Sequence, residues 1–546
     1  MRWKSAGCIC AAMLFSGVSF AQAIEGVVND SLSGKPLPGV MVSLNRRDPG
    51  PASYKFGDPP PATTHWEATT GADGKYEFHG LAAGHYDVAA SRAGYGIRDG
   101  LAYAAPIQLS PGESATGVRF ELTPEQRVSG RLVDGNGKPV PFAWKVVVQE
   151  RYLDGRRQLC PVPGGAGATN ERGEFEFSGV WKGPVFLLFT PMQPALKEWG
   201  GLPTTNHLEF SPTWYPGTTD ASQATRIELV AGAERSGLEA KIVRGAMLDI
   251  RGQVRDHAGE PAKNATLMLV PEGPPHLMWL AARVAKAKDG TFELPDLSPG
   301  AYRAVVVFET PSMIHREAVR LGPKQDRLDV RLPMPMQIEG EFIAGEGVAL
   351  TRDLRFMSVS LHAEEEGTNP QPMTRPVEGA PTKFVVENVL PGKYRITSGV
   401  PDSRDKSVYV ESIRYGERLG TDTPFDITGK PARIVVTFNR GASAVSGAVK
   451  KNGAPASCVL VRLLHADSYQ RLNQRWTQMA WTDQKGRFLI EHVPPGDYLA
   501  YAFEQDEEGF WRDAARFQKF SRAAQKISVA KDSPVNLELQ VTPLPE

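Results

Sequence analysis

Cysteine is scarce in this chain. Only four of the 546 residues are cysteine, and two of them, Cys8 and Cys10, lie close to the N-terminus. The other two, Cys160 and Cys458, are far apart and, as the repeats below indicate, fall in different domains. A disulfide framework needs several cysteines within each small domain, so the sequence excludes one and predicts two buried thiols.

Long apolar runs are absent beyond the N-terminus. The chain starts with the basic residues Arg2 and Lys4, continues with an apolar run over about residues 8–18, and then has the small-residue motif Ala-Gln-Ala at 21–23. This order is typical of a secretion signal, which we expect to cover residues 1–23 and to be removed. No later segment has about 18 uninterrupted apolar residues, so we expect no membrane span in the mature chain.

The chain also lacks an excess of charge of either sign. It carries 62 basic and 62 acidic residues, and no basic run or patch stands out in the sequence. A surface that binds nucleic acid needs clustered lysine and arginine. We therefore expect no nucleic-acid partner.

Glycine and proline, in contrast, are abundant, with 54 and 44 residues spread along the chain. Apolar residues amount to 41% and charged residues to 23%, which is enough core material for globular domains. Turn signals recur about every 8 to 12 residues, and no helical period of 3.6 residues is sustained. The sequence therefore predicts an all-β protein, and its length predicts several domains.

A pair of glycines ten positions apart recurs along the chain. The four full copies pair Gly74 with Gly84, Gly173 with Gly183, Gly290 with Gly300, and Gly486 with Gly496. A weaker copy, TKFVVENVLPGKYRI, has Gly392 in place but Thr382 where the first glycine would stand. Apolar and polar residues alternate after the first glycine, as in DGKYEF, so this segment is a strand with one buried face. We expect it to form an antiparallel hairpin with the strand after the second glycine, with Leu81 folded over the end.

Two further blocks frame each copy. An opening block reads IEGVV, VSGRL, IRGQV, IEGEF and VSGAV, and its glycine predicts a bulge or a close approach of another backbone. A closing block reads GVRFEL, GLEAKIV, RLDVRL, ARIVVTF and VNLELQV. The sequence thus predicts a tandem array of five antiparallel β-sandwiches after the signal peptide. Their expected ranges are 24–124, 125–245 with a long loop at 191–220, 246–335, 336–441, which diverges most, and 442–546.

The order of these blocks resembles the carboxypeptidase regulatory-like domain, a transthyretin-like (Ig-like) sandwich often grouped with carbohydrate-binding-like folds. The resemblance extends over all five units. Two stretches outside the blocks, 212–234 and 407–420, resemble parts of large secreted bacterial proteins built from such repeats. The resemblance implies a secreted or periplasmic protein of the bacterial cell envelope, and its motif supplies strand and turn residues but no catalytic residue.

The one motif with a metal-ligand spacing is His-x-x-Glu at His257 and Glu260. It lies in RDHAGEP, which has the glycine and proline of a hairpin turn, and a zinc site needs a third ligand in a shaped cleft. No Gly-x-Ser-x-Gly elbow and no phosphate-binding glycine loop occurs in the sequence. We therefore expect no enzyme, no metal and no cofactor.

Aromatic residues outside the repeated strands are the remaining candidates for binding. Trp199, Trp214 and Tyr215 lie in the Pro- and Gly-rich stretch 191–220, and exposed rings of this kind stack on the apolar faces of sugars. The other candidates are Trp476, Trp481 and Trp511 around the fifth copy and the Pro-rich loop 46–68. The alternative is that these rings pack beneath long loops as a satellite core.

Three functions follow from these observations. The first is a non-catalytic protein that binds a polysaccharide or another component of the cell envelope. The second is a purely structural stalk, or an array that docks a partner protein. The third, a remote alternative, is a secreted hydrolase whose site has no sequence motif.

Overall fold

The computed structural model describes residues 22–46, 65–96, 107–153, 156–180, 183–190, 209–245, 248–273, 282–308, 313–350, 359–363, 374–399, 405–419, 425–429, 431–466, 478–504 and 509–543. These residues form two compact units. One unit contains the described residues up to Arg92 together with Ile107–Leu122, and the other contains 93–96 and everything from Thr123 onward.

Strands make up almost all of the regular structure, and we number the sandwiches 1 to 5 in chain order. Sandwich 1 contains β1 (Gln22–Asp30), β2 (Met41–Arg46), β3 (His65–Thr69), β4 (Lys75–Leu81), β5 (Gly84–Ser91), β6 (Tyr95–Gly96), β7 (Ile107–Leu109) and β8 (Ala115–Pro124). Sandwich 2 contains β9 (Gln126–Val133), β10 (Trp144–Leu153), β11 (Arg156–Ala168), β12 (Glu174–Gly179), β13 (Phe186–Thr190), β14 (Thr213–Trp214), the 3₁₀ helix Ala221–Gln223 and β15 (Glu234–Lys241). Sandwich 3 contains β16 (Leu248–Arg255), β17 (Ala265–Pro271), β18 (Arg283–Ala287), β19 (Thr291–Leu297), β20 (Gly300–Phe308), β21 (Met313–Leu321) and β22 (Arg327–Arg331).

The remaining elements belong to two further sandwiches. Sandwich 4 contains β23 (Met336–Ala344), β24 (Val359–Ala363), β25 (Thr374–Val377), β26 (Ala380–Val389), β27 (Gly392–Ser398), β28 (Val408–Tyr415), β29 (Arg418–Leu419), β30 (Phe425–Ile427) and β31 (Ile434–Arg440). Sandwich 5 contains β32 (Ser443–Lys451), β33 (Ala454–Pro455), β34 (Leu460–His465), β35 (Gln478–Trp481), β36 (Arg487–Val493), β37 (Gly496–Phe503), the 3₁₀ helix Phe510–Arg512, helix α1 (Ala514–Ser521), β38 (Gln525–Val529) and β39 (Val535–Gln540).

The strands form sheets that pack in pairs around apolar cores. In sandwiches 1 and 2 the sheet orders are β4-β1-β8-β6 with β3-β2-β5-β7, and β12-β9-β15 with β11-β10-β13-β14. In sandwiches 3 and 4 they are β19-β16-β22 with β18-β17-β20-β21, and β25-β26-β23-β31-β28-β29 with β24-β27-β30. In sandwich 5 they are β33-β32-β36, in which β39 also pairs with β32, and β35-β34-β37-β38. In sandwich 2, for example, the core joins Val128 of one sheet to Leu187 of the other. This architecture confirms the predicted all-β fold of tandem, mainly antiparallel sandwiches.

The segment between the two repeated glycines is an arch between sheets and not a hairpin. In sandwich 1, β4 pairs with β1, whereas β5 pairs with β2 in the opposite sheet. The other four sandwiches divide the corresponding strands in the same way. The expected hairpin is therefore wrong, because a short linker suffices to cross the roughly 10 Å between stacked sheets. Leu81, which is buried, lies at this crossing.

The closing strand of each sandwich lies beside its opening strand and runs parallel to it. The parallel pairs are β1 with β8, β9 with β15, β16 with β22, β23 with β31, and β32 with β39. A tight turn cannot join two parallel strands. The other strands of each sandwich therefore lie between these two strands in the sequence. Alternation along the opening and closing blocks indicates strands but does not show this direction.

The glycine of each opening strand lies opposite an aromatic ring. A Cβ atom at Gly26 would lie 2.0 Å from the carbonyl oxygen of Val118 and 2.5 Å from the hydroxyl of its partner Tyr76. The other glycine–aromatic pairs are Gly130 with Phe175, Gly252 with Phe292, Gly340 with Phe384, and Gly447 with Phe488. The close backbone approach expected at these glycines is confirmed at Gly26, Gly130, Gly252 and Gly447, whereas the atoms nearest to a Cβ at Gly340 belong to the ring of Phe384.

A tyrosine two residues after the second glycine fixes each arch in four sandwiches. Its hydroxyl donates to the carbonyl four residues upstream: Tyr86 to Ala82 at 2.7 Å, Tyr302 to Ser298 at 2.8 Å, Tyr394 to Leu390 at 2.9 Å, and Tyr498 to Pro494 at 2.8 Å. Sandwich 2 has Val185 at this position and makes no such bond. The arrangement matches the tyrosine corner of other sandwiches.

Two smaller expectations can be compared with the structure. No disulfide joins the two distant cysteines, and Cys160 is buried as expected whereas Cys458 is only half-buried. The first strand begins at Gln22, although the sequence pattern placed the end of the secretion signal at residue 23.

Candidate functional site

Two of the three aromatic residues predicted to bind ligand lie in the described part of the chain, and both are at least half-buried. Trp214 is only 2% exposed, so neither face of its ring is open to a sugar. Tyr215 is half-buried and packs against the core of sandwich 2. Trp199 lies outside the described residues.

Trp214 is buried because the outer face of its sheet is apolar. It lies in β14 and joins a cluster of buried residues on that face, Val146, Val148, Phe186, Leu188 and Trp214, bordered by the partly buried Trp144, Leu159, Ala221 and Ala224. Alanines in and after the 3₁₀ helix contribute to this cover, and Asp220 caps that helix by accepting the Ser222 N–H at 2.9 Å. The run FLLF in β13 has no polar alternation, which is the sequence signal for a strand buried on both faces.

The same segment binds the next sandwich. The Ser211 N–H donates to the Val243 carbonyl at 2.9 Å, and the Val243 N–H donates to Thr213 Oγ1 at 3.0 Å, so the segment pairs with the chain that leads into sandwich 3. The Ser211 hydroxyl also lies 3.0 Å from the hydroxyl of Ser298, in the arch of sandwich 3. Val270 of β17 packs against the Trp214 cluster. We call residues 209–224 the first latch, since they contact both sandwiches.

A second latch, residues 405–407, lies between sandwiches 4 and 5 and directly precedes β28. The Ser407 carbonyl accepts the N–H groups of Gly441 at 3.0 Å and Ala442 at 2.9 Å, which connect the two sandwiches. The Arg440 guanidinium donates to the Asp405 carboxylate at 2.9 Å.

Contacts of the second latch continue into sandwich 5. Lys406 forms an ion pair with Glu491, and the carbonyl of Gly441 accepts the Asp532 N–H at 3.1 Å. Burial, with a smaller contribution from Tyr409 of sandwich 4, raises the pKa of Tyr498 in sandwich 5. The first latch overlaps the stretch at 212–234, and the second overlaps the start of the stretch at 407–420. Both stretches lie outside the repeated blocks.

Sandwich 5 carries a second apolar outer face, which its own insertion covers. The 3₁₀ helix and α1 place Phe510, Trp511 and Phe520 over Tyr501 and Phe503 of β37. Trp511 is 6% exposed, and the guanidinium of Arg462 lies 4.8 Å from the centroid of its ring. Here too the interpretation as a satellite core fits, because the ring faces are used within the protein.

Trp481 differs from these buried rings. It is 37% exposed on the edge strand β35, beside Met479, which is 59% exposed. Trp476 and loop residues 47–64 lie outside the described residues. One half-exposed tryptophan therefore remains of the aromatic candidates that the structure describes.

A cleft of about 600 Å³ lies on the outer face of β4-β1-β8 in sandwich 1. Glu25 and Glu77 are directly opposite each other in it, with Lys75 and Arg119 beside them. Asp73 also lines the cleft, and hydrogen bonds from Lys75 lower the pKa of its carboxyl. A general acid for glycoside hydrolysis needs a raised carboxyl pKa, so Asp73 has the opposite perturbation.

The His-x-x-Glu motif forms the turn that the sequence predicted. The Glu260 N–H donates to the Asp256 carboxylate at 2.9 Å, and Arg331 donates to the His257 carbonyl at 2.8 Å. Within the described ranges, no group of three or more histidine, cysteine, aspartate or glutamate residues could hold a metal ion. Among the residues that the structure describes, no helix is long and apolar enough to cross a membrane.

The sequence profile of the carboxypeptidase regulatory-like domain matches residues 23–123. Sandwich 1 is therefore the part of the chain in which the expected resemblance is found independently. No curated protein matches the chain in sequence.

Several solved structures are similar to parts of the chain. The Bacillus anthracis TIE protein is 12% identical, with 57% of this chain and 51% of that chain covered and a TM-score of 0.16, so the match spans about half the length of that protein. A streptococcal ancillary pilin is 12% identical over 57% of this chain and 98% of its own, with a TM-score of 0.20. The minor pilin GBS52 of Streptococcus agalactiae is 15% identical over 41% and 96%, with a TM-score of 0.21. Similarity at this level supports no argument about function.

Proposed function

We propose that this chain, whose first sandwich matches the carboxypeptidase regulatory-like domain, is a non-catalytic structural array that acts outside the cytoplasm. Its domains are the sandwiches at 24–124, 125–245, 246–335, 336–441 and 442–546, with the first extended to Gln22. Its task is to hold sandwich 3 in fixed register on sandwich 2, and sandwich 5 on sandwich 4, as a spacer or a scaffold for a partner at the cell envelope. The first latch is the observation that carries this proposal.

The first latch supports a structural role because of what it contacts. A flexible chain of domains needs only a linker between them, and its inserted loops would be open to ligands. Residues 209–224 instead bury Trp214 and hydrogen bond with the chain around Val243 and with Ser298 of the next sandwich. A segment outside the repeated blocks thus contacts two sandwiches.

Binding of a polysaccharide, the first ligand class expected from the sequence, has less support. Trp214 and Trp511 are buried, and stacking on a sugar needs an exposed ring face. Among the aromatic candidates in the described residues, Trp481 supplies one exposed ring. A sugar-binding role would therefore depend on that residue or on parts of the chain outside the described residues.

Distance measurements across the first latch test the proposal. Spin labels are introduced as non-natural amino acids at the exposed positions Glu174 in sandwich 2 and Glu293 in sandwich 3, and their separation is measured by pulsed electron paramagnetic resonance. We expect a narrow distribution in the native chain and a broad one after Trp214→Ala. A broad distribution in the native chain would refute a fixed register.

A binding panel separates the alternatives. The purified mature chain is passed over immobilised glycans and cell-wall polymers and is incubated with glycoside and peptide substrates. We expect neither retention nor turnover. Retention that Trp481→Ala abolishes would replace the structural role with carbohydrate binding, and turnover would establish the hydrolase alternative.

A further inference from the structure

Residues 22 and 23 are integral to sandwich 1, although the sequence pattern assigns them to the secretion signal. Gln22 is 8% exposed and Ala23 is 5% exposed, and both lie in β1. Gln22 is also in register with Leu81 at the end of β4. The strand therefore starts before the small-residue motif at 21–23 is complete.

Hydrogen bonds hold both residues against the turn that precedes β8. The side-chain amide of Gln22 donates to the carbonyl of Ser110 and, at 2.9 Å, to that of Glu113. The backbone N–H of Ala23 donates to Ser114 Oγ at 2.9 Å. Removal of the two residues would eliminate all of these bonds.

Cleavage after Ala23 would also place a charged terminus at the edge of the core. The new α-ammonium would belong to Ile24, which is fully buried and pairs with Ala115 in the parallel strand. A buried charge without a partner is strongly unfavourable. Cleavage that leaves Gln22 at the N-terminus puts the ammonium two residues further from the core.

The sequence offers a second site that satisfies the same protease. Ser19-Phe20-Ala21 has small residues at the first and third positions before the bond, as Ala21-Gln22-Ala23 does. The two sites are equivalent by pattern alone, and the structure of sandwich 1 distinguishes them.

We infer that the secretion signal is removed after Ala21, so that the mature chain begins at Gln22. This inference depends on the proposed location outside the cytoplasm. Hydrolysis of the Ala21–Gln22 peptide bond by water leaves a carboxylate on the released signal and an α-ammonium on Gln22. The side-chain amide of that residue then bridges to the turn before β8.

The test is the N-terminus of the exported protein. The full chain is expressed in a secretion-competent bacterium, and its exported form is identified by intact mass and by N-terminal peptide sequencing. We expect a start at Gln22 with its side-chain amide intact. A start at Ile24 would overturn this inference and leave export intact, whereas a chain that keeps residues 1–21 would overturn both.

Substitutions within the signal provide a test that cannot affect folding of the mature chain. Ser19→Leu makes the third position before the Ala21 bond large and leaves Ala21-Gln22-Ala23 unchanged. We expect it to reduce the Gln22 product at least about tenfold, while the matched control Phe20→Leu leaves it unchanged. Normal yield of that product from Ser19→Leu would contradict the assignment.

A stability comparison checks the structural reason. Chains that start at Gln22 and at Ile24 are released from a fusion that leaves no extra residue, and amide exchange is followed in β1. Because the shorter chain lacks these hydrogen bonds, we expect its β1 amides to exchange at least about tenfold faster, since one net bond corresponds to about that factor. Equal exchange would remove the physical basis of the inference.

Discussion

At the scale of single residues, the repeated glycines and aromatics act as pairs. The sequence predicts a bulge or a close backbone approach at the opening-strand glycine, and it also predicts that the aromatic after the first repeated glycine faces the interior. It does not show that the two are opposite each other, because the pairing of β1 with β4 joins residues about 50 positions apart. The pairing of Gly252 with Phe292 makes the same point in sandwich 3.

Gly252→Ala should destabilise sandwich 3. A Cβ atom there would lie 1.6 Å from the carbonyl oxygen of Leu328 and 2.9 Å from the ring of Phe292, so the closing strand would have to move. We expect a loss of at least about 1–3 kcal/mol, as for other overpacked sites. Amide exchange in β16 and β22 measures it, and Gly322→Ala, where nothing lies within 4 Å of the new atom, is the control.

The tyrosine of the arch predicts a pH dependence. Burial raises the pKa of Tyr302 above its ordinary value of 10.0, although the nearby Arg283 guanidinium acts in the opposite direction. The folded state then keeps the phenol proton at a pH at which the unfolded chain loses it. The contribution of Tyr302 to stability is therefore complete below pH 10 and declines as the pH rises above that value.

Tyr302→Phe separates this contribution from the hydrogen bond to Ser298. Near pH 8 the variant should be about 0.5–1.5 kcal/mol less stable, because it lacks that bond. Above pH 10 the native chain loses stability through Tyr302 and the variant does not, so the difference should shrink. Amide exchange in sandwich 3, which contains no other tyrosine, measures it, and a constant difference across this range would contradict the prediction.

At the scale of elements, the arch shows what the repeat pattern can and cannot indicate. Alternation in DGKYEF and HYDVAA identifies two strands and their buried faces, and the short linker between them favours a hairpin. Both a hairpin and an arch put Tyr76 and Tyr86 in the core, so the pattern cannot separate them. Whether a hairpin or an arch forms depends on β2. This strand pairs with β5 and so competes with β4 for an edge of β5.

A buried threonine joins two loops in sandwich 1. Thr70 Oγ1 donates to the Leu37 carbonyl at 2.7 Å and accepts the Val40 N–H at 2.9 Å, and Thr169 and Thr482 make the same two bonds in sandwiches 2 and 5. Thr70→Val keeps the shape of the side chain but leaves two buried backbone groups without these partners. We expect a loss of about 1–3 kcal/mol.

Its neighbour gives a matched control for this prediction. Thr69 ends β3 with an exposed side chain, so Thr69→Val should change stability by less than about 0.5 kcal/mol. Amide exchange in β2, measured at increasing denaturant concentration, gives the loss of stability for each variant. Equal effects at Thr69 and Thr70 would show that the hydroxyl bonds of Thr70 are not what stabilises the loops.

At the scale of the whole chain, the candidate site is where sequence and structure diverge most. Isolated tryptophans in a Pro- and Gly-rich stretch are compatible with a ligand platform or with a cover, and composition cannot distinguish these. Trp214 is buried because β10 and β13 are apolar on their outer faces and need a cover. The unbroken apolar runs in those strands carried this information, but the contact with Val270 of the next sandwich depends on tertiary packing alone.

Trp214→Ala tests whether the first latch couples two sandwiches. Loss of this ring should cost about 3–5 kcal/mol, the usual range for a buried tryptophan. Because Val270 packs against the Trp214 cluster and Ser211 contacts Ser298, amide exchange should rise in β17 and in the arch of sandwich 3 as well as in sandwich 2. Trp481→Ala, at the half-exposed ring, should leave sandwiches 2 and 3 unchanged. An increase confined to sandwich 2 would show that the cluster stabilises one domain without joining it to the next, and the proposed fixed register would then lose its main support.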